Sequence, residues 1–362
     1  MSARPDHRST PRTHASVWVP IPGLRVHALA AGTDRTGPPV VLLHGFPQTS
    51  HCFRHQLTTL SEAGHPAYAM DTRGFGRTGK PHTRVSRALL ADDVVRFCTA
   101  LGLRDVTLVG HDWGGLIAFK AAIDRPDLFT RLALLDSNTT VITPAITHPY
   151  WFKAEPLPEE FLAQHARELV EVRLGGRDST VLGGRPGNPY AVAAGPRPLP
   201  FFLTESDLAH YADAFDAASQ RAAIQYYRYA MPIHRVLPDP AAPHGERYQP
   251  LSEREVAAMW LHPDGFEAHP WWPEYHDVGP EDRHKRYPGP VTFVFGNQQL
   301  GRFPELAALP ERTGNPFADQ YPRYFPDLRA VRADCGHYLP EEVPELVGAE
   351  LLTLLGRAPA SP

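Results

Sequence analysis

Val106-Thr107-Leu108-Val109-Gly110-His111-Asp112-Trp113-Gly114-Gly115 carries an apolar strand into a glycine-flanked turn, and Leu116-Ile117-Ala118-Phe119-Lys120 continues it as a helix. This is the shape of the strand–turn–helix elbow G-x-S-x-G, in which a sharp turn lifts a nucleophile to the top of a sheet. Aspartate, Asp112, stands at the serine position. A serine that attacks acyl carbon leaves an ordinary ester. A carboxylate doing the same would leave an anhydride, so aspartate suits displacement at sp3 carbon, where the product is an alkyl ester that water can hydrolyse. Asp is also a favoured helix N-cap. A cap alone, however, does not call for glycines at 110, 114 and 115, which let the turn strain and the helix pack on the sheet.

Outward from the elbow the chain alternates. Val17–Ile21 and Leu24–Leu29 read as an antiparallel pair around a Pro-Gly turn. Pro39–Leu43 is a continuous apolar run, as for a strand buried on both faces, and ends in His44-Gly45-Phe46-Pro47. A helix from Phe53 to Ala63, a strand from Pro66 to Met70, the loop Asp71-Thr72-Arg73-Gly74-Phe75-Gly76 and a helix from Ala88 to Leu101 lead back to the elbow strand. Leu132–Asp136 is a further buried strand. This alternation predicts an α/β fold with a mostly parallel central sheet and helices on both faces. After Asp136 the pattern breaks: residues 143–285 show no strong strand, and helical stretches near 158–172, 206–229 and 252–260. The core pattern resumes with the strand Pro290–Gly296, a short strand near Leu328–Val331 and a last helix, Val343 to Leu355. A long unstructured loop is unusual inside a compact domain, so the expected organisation is a core of 16–142 and 286–358 interrupted by a mostly helical cap of 143–285. Met1 to Ala15 is polar and reads as a disordered leader.

Composition excludes several classes. The formal charge of -4 shows no bias toward nucleic acid or an anionic membrane. No apolar run is long enough to span a bilayer. The three cysteines form no CxxC pair and suit a reduced cytoplasm. The histidines of 232–285 lack metal-ligand spacing and read as surface residues. No metal or organic cofactor is expected.

Four motifs in order, His44-Gly45-Phe46-Pro47, Asp71–Gly76, Gly110–Gly115 and Gly336-His337-Tyr338-Leu339-Pro340-Glu341-Glu342, resemble the α/β-hydrolase family. Within it they are similar to the aspartate-nucleophile branch, which holds epoxide hydrolases, haloalkane dehalogenases and haloacetate dehalogenases. The resemblance implies an α/β-hydrolase fold with Asp112 as nucleophile and His337 as the base that activates water. It offers two places for the carboxylate that orients the histidine. The loop after Val291–Phe295 reads Gly296-Asn297-Gln298-Gln299, without a carboxylate, which leaves Asp136 at the other place, with Asp334 a rival near His337. The resemblance further implies that the oxyanion donors are the backbone N–H groups of Phe46 and Trp113.

Epoxide and halide chemistry part at the leaving group, since an alkoxide calls for a hydroxyl or other acidic donor and a halide needs only N–H groups. Ile224-Gln225-Tyr226-Tyr227-Arg228 resembles the epoxide-hydrolase pattern in which the tyrosine directly before arginine donates, so Tyr227 is expected to do so; Tyr226, about 100° away on a helix, would face elsewhere. The second donor falls in His148-Pro149-Tyr150-Trp151-Phe152. The family position lands on Pro149 with a donor on either side, so Tyr150, preferred, and His148 both stay open. Trp151 and Phe152 are expected to line an apolar seam between cap and core. Phe201, Phe202, Tyr211, Phe215, Trp260, Phe266, Trp271, Trp272 and Tyr275 make up the rest of the cap's aromatic set. The related haloacetate enzymes carry an arginine where Trp113 stands, and haloalkane enzymes an asparagine where Phe46 stands. Both departures favour a small apolar or aromatic epoxide, opened to a vicinal diol. A haloalkane or haloacid dehalogenase with the same nucleophile is the alternative, with the Trp113 indole N–H able to hold a halide. A non-catalytic small-molecule receptor on the same scaffold is the remote one. No nucleic-acid or membrane partner is expected, and a homodimer stays open.

Overall fold

The computed structural model describes residues 14–142, 148–175, 202–264, 269–270, 276–297 and 321–357. The chain builds β1 (Ala15–Ile21), β2 (Leu24–Ala31), β3 (Val40–Leu43), α1 (Arg54–Glu62), β4 (Ala67–Met70), α2 (Arg87–Ala100), β5 (Val106–His111), α3 (Trp113–Asp124) and β6 (Phe129–Leu135). After the inserted region come β11 (Val291–Gly296), β12 (Leu328–Ala333) and the helices α9 (Leu339–Glu342) and α10 (Pro344–Leu355). Eight strands form one sheet in the order β1-β2-β4-β3-β5-β6-β11-β12. β2 runs antiparallel to both neighbours, and every pair from β4 to β12 is parallel. All residues of β3, β4, β5 and β11 are buried, which is why their sequences are mostly apolar rather than alternating.

The chain leaves β3 for β4 on one side and later returns to place β5 on the other. Right-handed crossovers in opposite directions put α1 and α3 on opposite faces, and a crevice opens above the strand ends at this switch point. α2 packs on α3, and α10 on α1.

The inserted region holds α4 (His148–Trp151), α5 (Leu157–Arg173), α6 (Glu205–Ala214), α7 (Ala217–Gln225) and α8 (Glu253–Trp260). Its strands β8 (His234–Pro238), β9 (Glu246–Pro250) and β10 (His276–Asp277) join β7 (Val141–Ile142), which directly precedes it, in a four-stranded antiparallel sheet of order β7-β10-β8-β9. The sequence reading, a mostly helical cap without strong strands, did not single out these short strands. β8 and β9 are half-exposed, charged and end in proline, so they lack the apolar signal by which strands are read from sequence. The helix expected over 206–229 is also broken. α6 starts at a capping box of Thr204 and Asp207, Asp216 caps the next start, and the helical stretch finishes in a π turn, Tyr226–Ala230.

Residues 1–13 of the expected leader lie outside the described residues, while Ala15 already pairs with Ala30. Phe201, Phe266, Trp271, Trp272, Tyr275, Gln298 and Gln299 also lie outside them. Among the described residues, no helix is long and apolar enough to cross a membrane.

Candidate active site

Asp112 stands between β5 and α3 with φ 49° and ψ -119°, a conformation that L-residues adopt only when their surroundings enforce it. Crowding does so here. A Cβ on Gly110 would overlap the Gly114 carbonyl, and one on Gly114 would overlap that of Leu43. The Asp112 carbonyl accepts from Ser137 Oγ at 2.6 Å and from Gly115 N at 2.9 Å. The turn is pinned from both β6 and α3.

This strain aims the carboxylate. Its Oδ1 accepts the Phe46 N–H at 2.8 Å, and its Oδ2 lies 3.5 Å from His337 Nε2. Trp113 opens α3, and the first N–H groups of a helix have no intrahelical acceptor. His337 Nδ1 donates to Asp136 Oδ2 at 2.7 Å. Asp136 follows β6, and its own N–H donates to Val294 O at 2.8 Å. The rival Asp334 is exposed.

The loop of His337 is tied on both sides. Its carbonyl accepts from His111 Nε2 at 2.8 Å. The N–H groups of Gly336 and Tyr338 donate to the Glu342 carboxylate at 2.6 and 2.8 Å. Sequence reading did not single out Ser137, His111 or Glu342. Only the position of His111 directly before the nucleophile, and of Glu342 shortly after the base, gave any hint.

Charge follows geometry. Burial works to raise the Asp112 carboxyl, but the hydrogen bond and charge of His337 outweigh it and hold the group well below the usual carboxylate range. Burial works to lower His337, yet Asp112 and Asp136 together lift it to about 10. Asp136 is raised, by burial first, with the His337 contact opposing. Burial lowers His111 to about 3, the charge of His337 adding to the effect. Together these effects favour a protonated His337 facing an ionised Asp112, with a neutral His111 beneath.

The inserted region supplies the facing wall. The Tyr227 ring meets Trp113 edge-on at 5.1 Å, Phe46 at 5.8 Å and His148 at 5.4 Å, and it stacks on Phe152 at 4.2 Å with the planes 3° apart. Burial lowers His148 to about 3, with Arg173 adding to the effect and Asp112 opposing it. At neutral pH its imidazole carries one N–H donor.

Of the two residues left open for the second donor, Tyr150 brings its hydroxyl to Nδ1 of His276 at 2.6 Å, within the small sheet. The reason is geometric: positions 148 and 150 of a helix point about 200° apart, so His148 against Tyr227 leaves Tyr150 facing β10. Trp151 lies one ring further back, between Phe152 and Phe161. Tyr226 does not face elsewhere, as a regular helix would require. In the π turn its ring also meets Trp113, at 5.2 Å, and its hydroxyl donates to the Arg73 carbonyl at 2.8 Å.

Comparison with known proteins bears on this geometry. The alpha/beta hydrolase fold family matches residues 38–172. Epoxide hydrolase 3 of Siraitia grosvenorii is 33% identical over 222 residues, spanning 57% of this chain and 69% of that protein. The chain belongs to the epoxide hydrolases of the α/β-hydrolase fold. Epoxide hydrolase B of Mycobacterium tuberculosis is 43% identical over a shorter 110 residues, 29% of this chain and 30% of the relative. A solved epoxide hydrolase from an endophytic Streptomyces superposes over 95% of this chain and 96% of its own with a TM-score of 0.67 at 26% identity. The family match takes in Phe46, Asp112, Trp113, Asp136 and His148 but stops before Tyr227 and His337. The part played by those two rests on their geometry.

Proposed function

We propose that the protein opens an epoxide to a vicinal diol in two half-reactions. Asp112 Oδ2 attacks a ring carbon while Oδ1 stays on the Phe46 N–H. The C–O bond breaks, and the oxygen takes a proton from Tyr227, with His148 N–H as the second donor. The alkyl ester on Asp112 is then hydrolysed by water whose proton passes to His337. The observation that carries this reading is the double hold on Asp112, one oxygen on Phe46 N–H and the other facing His337, beneath a wall made of Tyr227, His148 and Phe152.

The charges order the steps. In the resting site His337 is protonated and cannot act as a base. Ester formation removes the negative charge of Asp112, one of the two carboxylates that raise the imidazole; its pKa drops, the imidazolium releases the proton that restores the Tyr227 hydroxyl, and the neutral imidazole then accepts a proton from water. The base is switched on by the first half-reaction. Phe46, Phe152, Phe215 and Tyr227 form a ring cluster at the same place, which supports a small apolar or aromatic epoxide as substrate. Cys52, Cys98 and Cys335 are free and buried, which supports a cytoplasmic location.

One observation favours a second reading. The Trp113 indole N–H is buried with no hydrogen-bond partner among the described residues, and such a donor beside the nucleophile suits a departing halide. Intact-mass analysis of His337→Gln, exposed to mixed epoxides and haloalkanes, separates the two. A gain of a whole epoxide mapped to Asp112 supports ring opening. A gain of a haloalkane less its hydrogen halide supports halide displacement. No adduct from any epoxide with which the unaltered protein turns over would sink the covalent mechanism.

A further inference from the structure

The two oxygen donors stand on segments far apart in sequence. His148 opens α4, and Tyr227 lies in the π turn. Each donor segment carries a buried cation placed immediately after a ring of the site: Lys153 follows Phe152, and Arg228 follows Tyr227. Lys153 Nζ donates to the Arg228 carbonyl at 2.8 Å. Arg228 Nη2 donates to the Phe152 carbonyl at 3.2 Å, while its Nη1 is held by Glu159 at 2.7 Å. Each cation thus satisfies a backbone carbonyl on the opposite segment. Between the two crossings Phe152 and Tyr227 stack face to face, and the Phe152 N–H donates back to the His148 carbonyl at 3.0 Å.

This is an expensive way to join two loops. Burial brings the Lys153 ammonium down to about 7, and a buried cation facing a neutral carbonyl gains less than one facing a carboxylate. An apolar contact would join the segments with less desolvation. What the crossed cations add is direction: each carbonyl is fixed along the chain as well as across it, so neither segment slides past the other.

We propose that Lys153 and Arg228 are positioning residues for ring opening, a reciprocal clamp that keeps Tyr227 and His148 in register over the epoxide oxygen. The proposal rests on the reading of those two side chains as the oxygen donors. The clamp touches neither Asp112 nor His337, so it acts on ester formation and not on ester hydrolysis. A merely structural role would slow both.

The experiment is rapid-quench intact-mass analysis of the full chain with styrene oxide as probe, following the Asp112 ester as it forms and decays. Lys153→Met is expected to slow ester formation about ten- to a hundredfold and to leave its hydrolysis within about twofold. Lys153→Gln, which keeps a donor without the charge, is expected to recover most of the loss. Should Lys153→Met not fold, Arg228→Gln breaks the other crossing and carries the same expectation. Ester formation at the unaltered rate in a folded Lys153→Met or Arg228→Gln protein, or an equal loss in both half-reactions, overturns the clamp. Diol formation from styrene oxide by the unaltered protein without any Asp112 ester overturns the covalent reading, and the clamp with it.

Discussion

On the core side of the crevice, Asp112 and Asp136 each directly follow a strand and His337 comes four residues after one, whereas on the facing side His148 and Tyr227 hang on a four-residue helix and a π turn. Core positions are set by backbone: neighbouring parallel strands fix where each chain end emerges, and close glycine contacts fix the elbow. Facing positions are set by side chains reaching across, Lys153 and Arg228 among them. The difference assigns labour. In the proposed mechanism Asp112 and its Phe46 N–H donor take part in both half-reactions and His337 acts as base in the second, while the facing wall serves ring opening and substrate choice.

The comparison can be broken most sharply at Asp112. Asp112→Asn is expected to reduce diol formation by a factor on the order of 10⁴ to 10⁶ and to give no adduct by mass; persistent turnover would remove the core side from the chemistry. Next comes the facing wall. Tyr227→Phe and His148→Phe are each expected to slow ester formation by a factor on the order of 10² to 10⁴, with hydrolysis of ester already formed left intact. A matching loss in hydrolysis would erase the division of labour.

A third, smaller effect sharpens the electrostatic side. His337 is raised from an ordinary 6.5 to about 10 in the folded site, so between those values the native state binds more protons than the unfolded chain. Its contribution to stability is fully present below pH 6.5 and is lost as pH rises through about 10. Thermal melts from pH 6 to about 10 should fall more steeply for the unaltered protein than for Asp112→Asn, where one of the raising charges is gone. Parallel curves would mean that the ion pair is not formed. The smallest effect lies at the start of α7, where Asp216 accepts from the N–H groups of Ala218 and Ser219. Asp216→Ala is expected to lower unfolding stability by about 1 kcal/mol, read by chemical denaturation, with ester hydrolysis unchanged.

The same contrast explains what was legible in the sequence. The strand runs, the spacing of Gly110, Gly114 and Gly115, and the pairing of Gly336 with His337 are local signals, because backbone geometry there depends on neighbours in the chain. The core elements were accordingly foreseen to within a few residues, and Asp112, Asp136 and His337 do meet. On the facing side the deciding contacts are distant. Whether Tyr150 or His148 turns toward the crevice depends on His276, more than a hundred residues later. Tyr226 joins Tyr227 against Trp113 because the helix loosens into a π turn, which helical periodicity does not foresee. The hairpin of β8 and β9 carries too little apolar alternation to be read as strands.

Ile142 pairs with His276, and Val141 with Asp277. The chain therefore departs from the core and comes back to it through one doorway, its two jambs hydrogen-bonded to each other. Everything between residues 142 and 276 is, from the standpoint of the core, a loop whose ends are already closed. Closure entropy grows only slowly with loop length, so lengthening or trimming what lies beyond the doorway asks little of the frame. The catalytic frame and the substrate wall can diversify separately, one held constant while the other is exchanged.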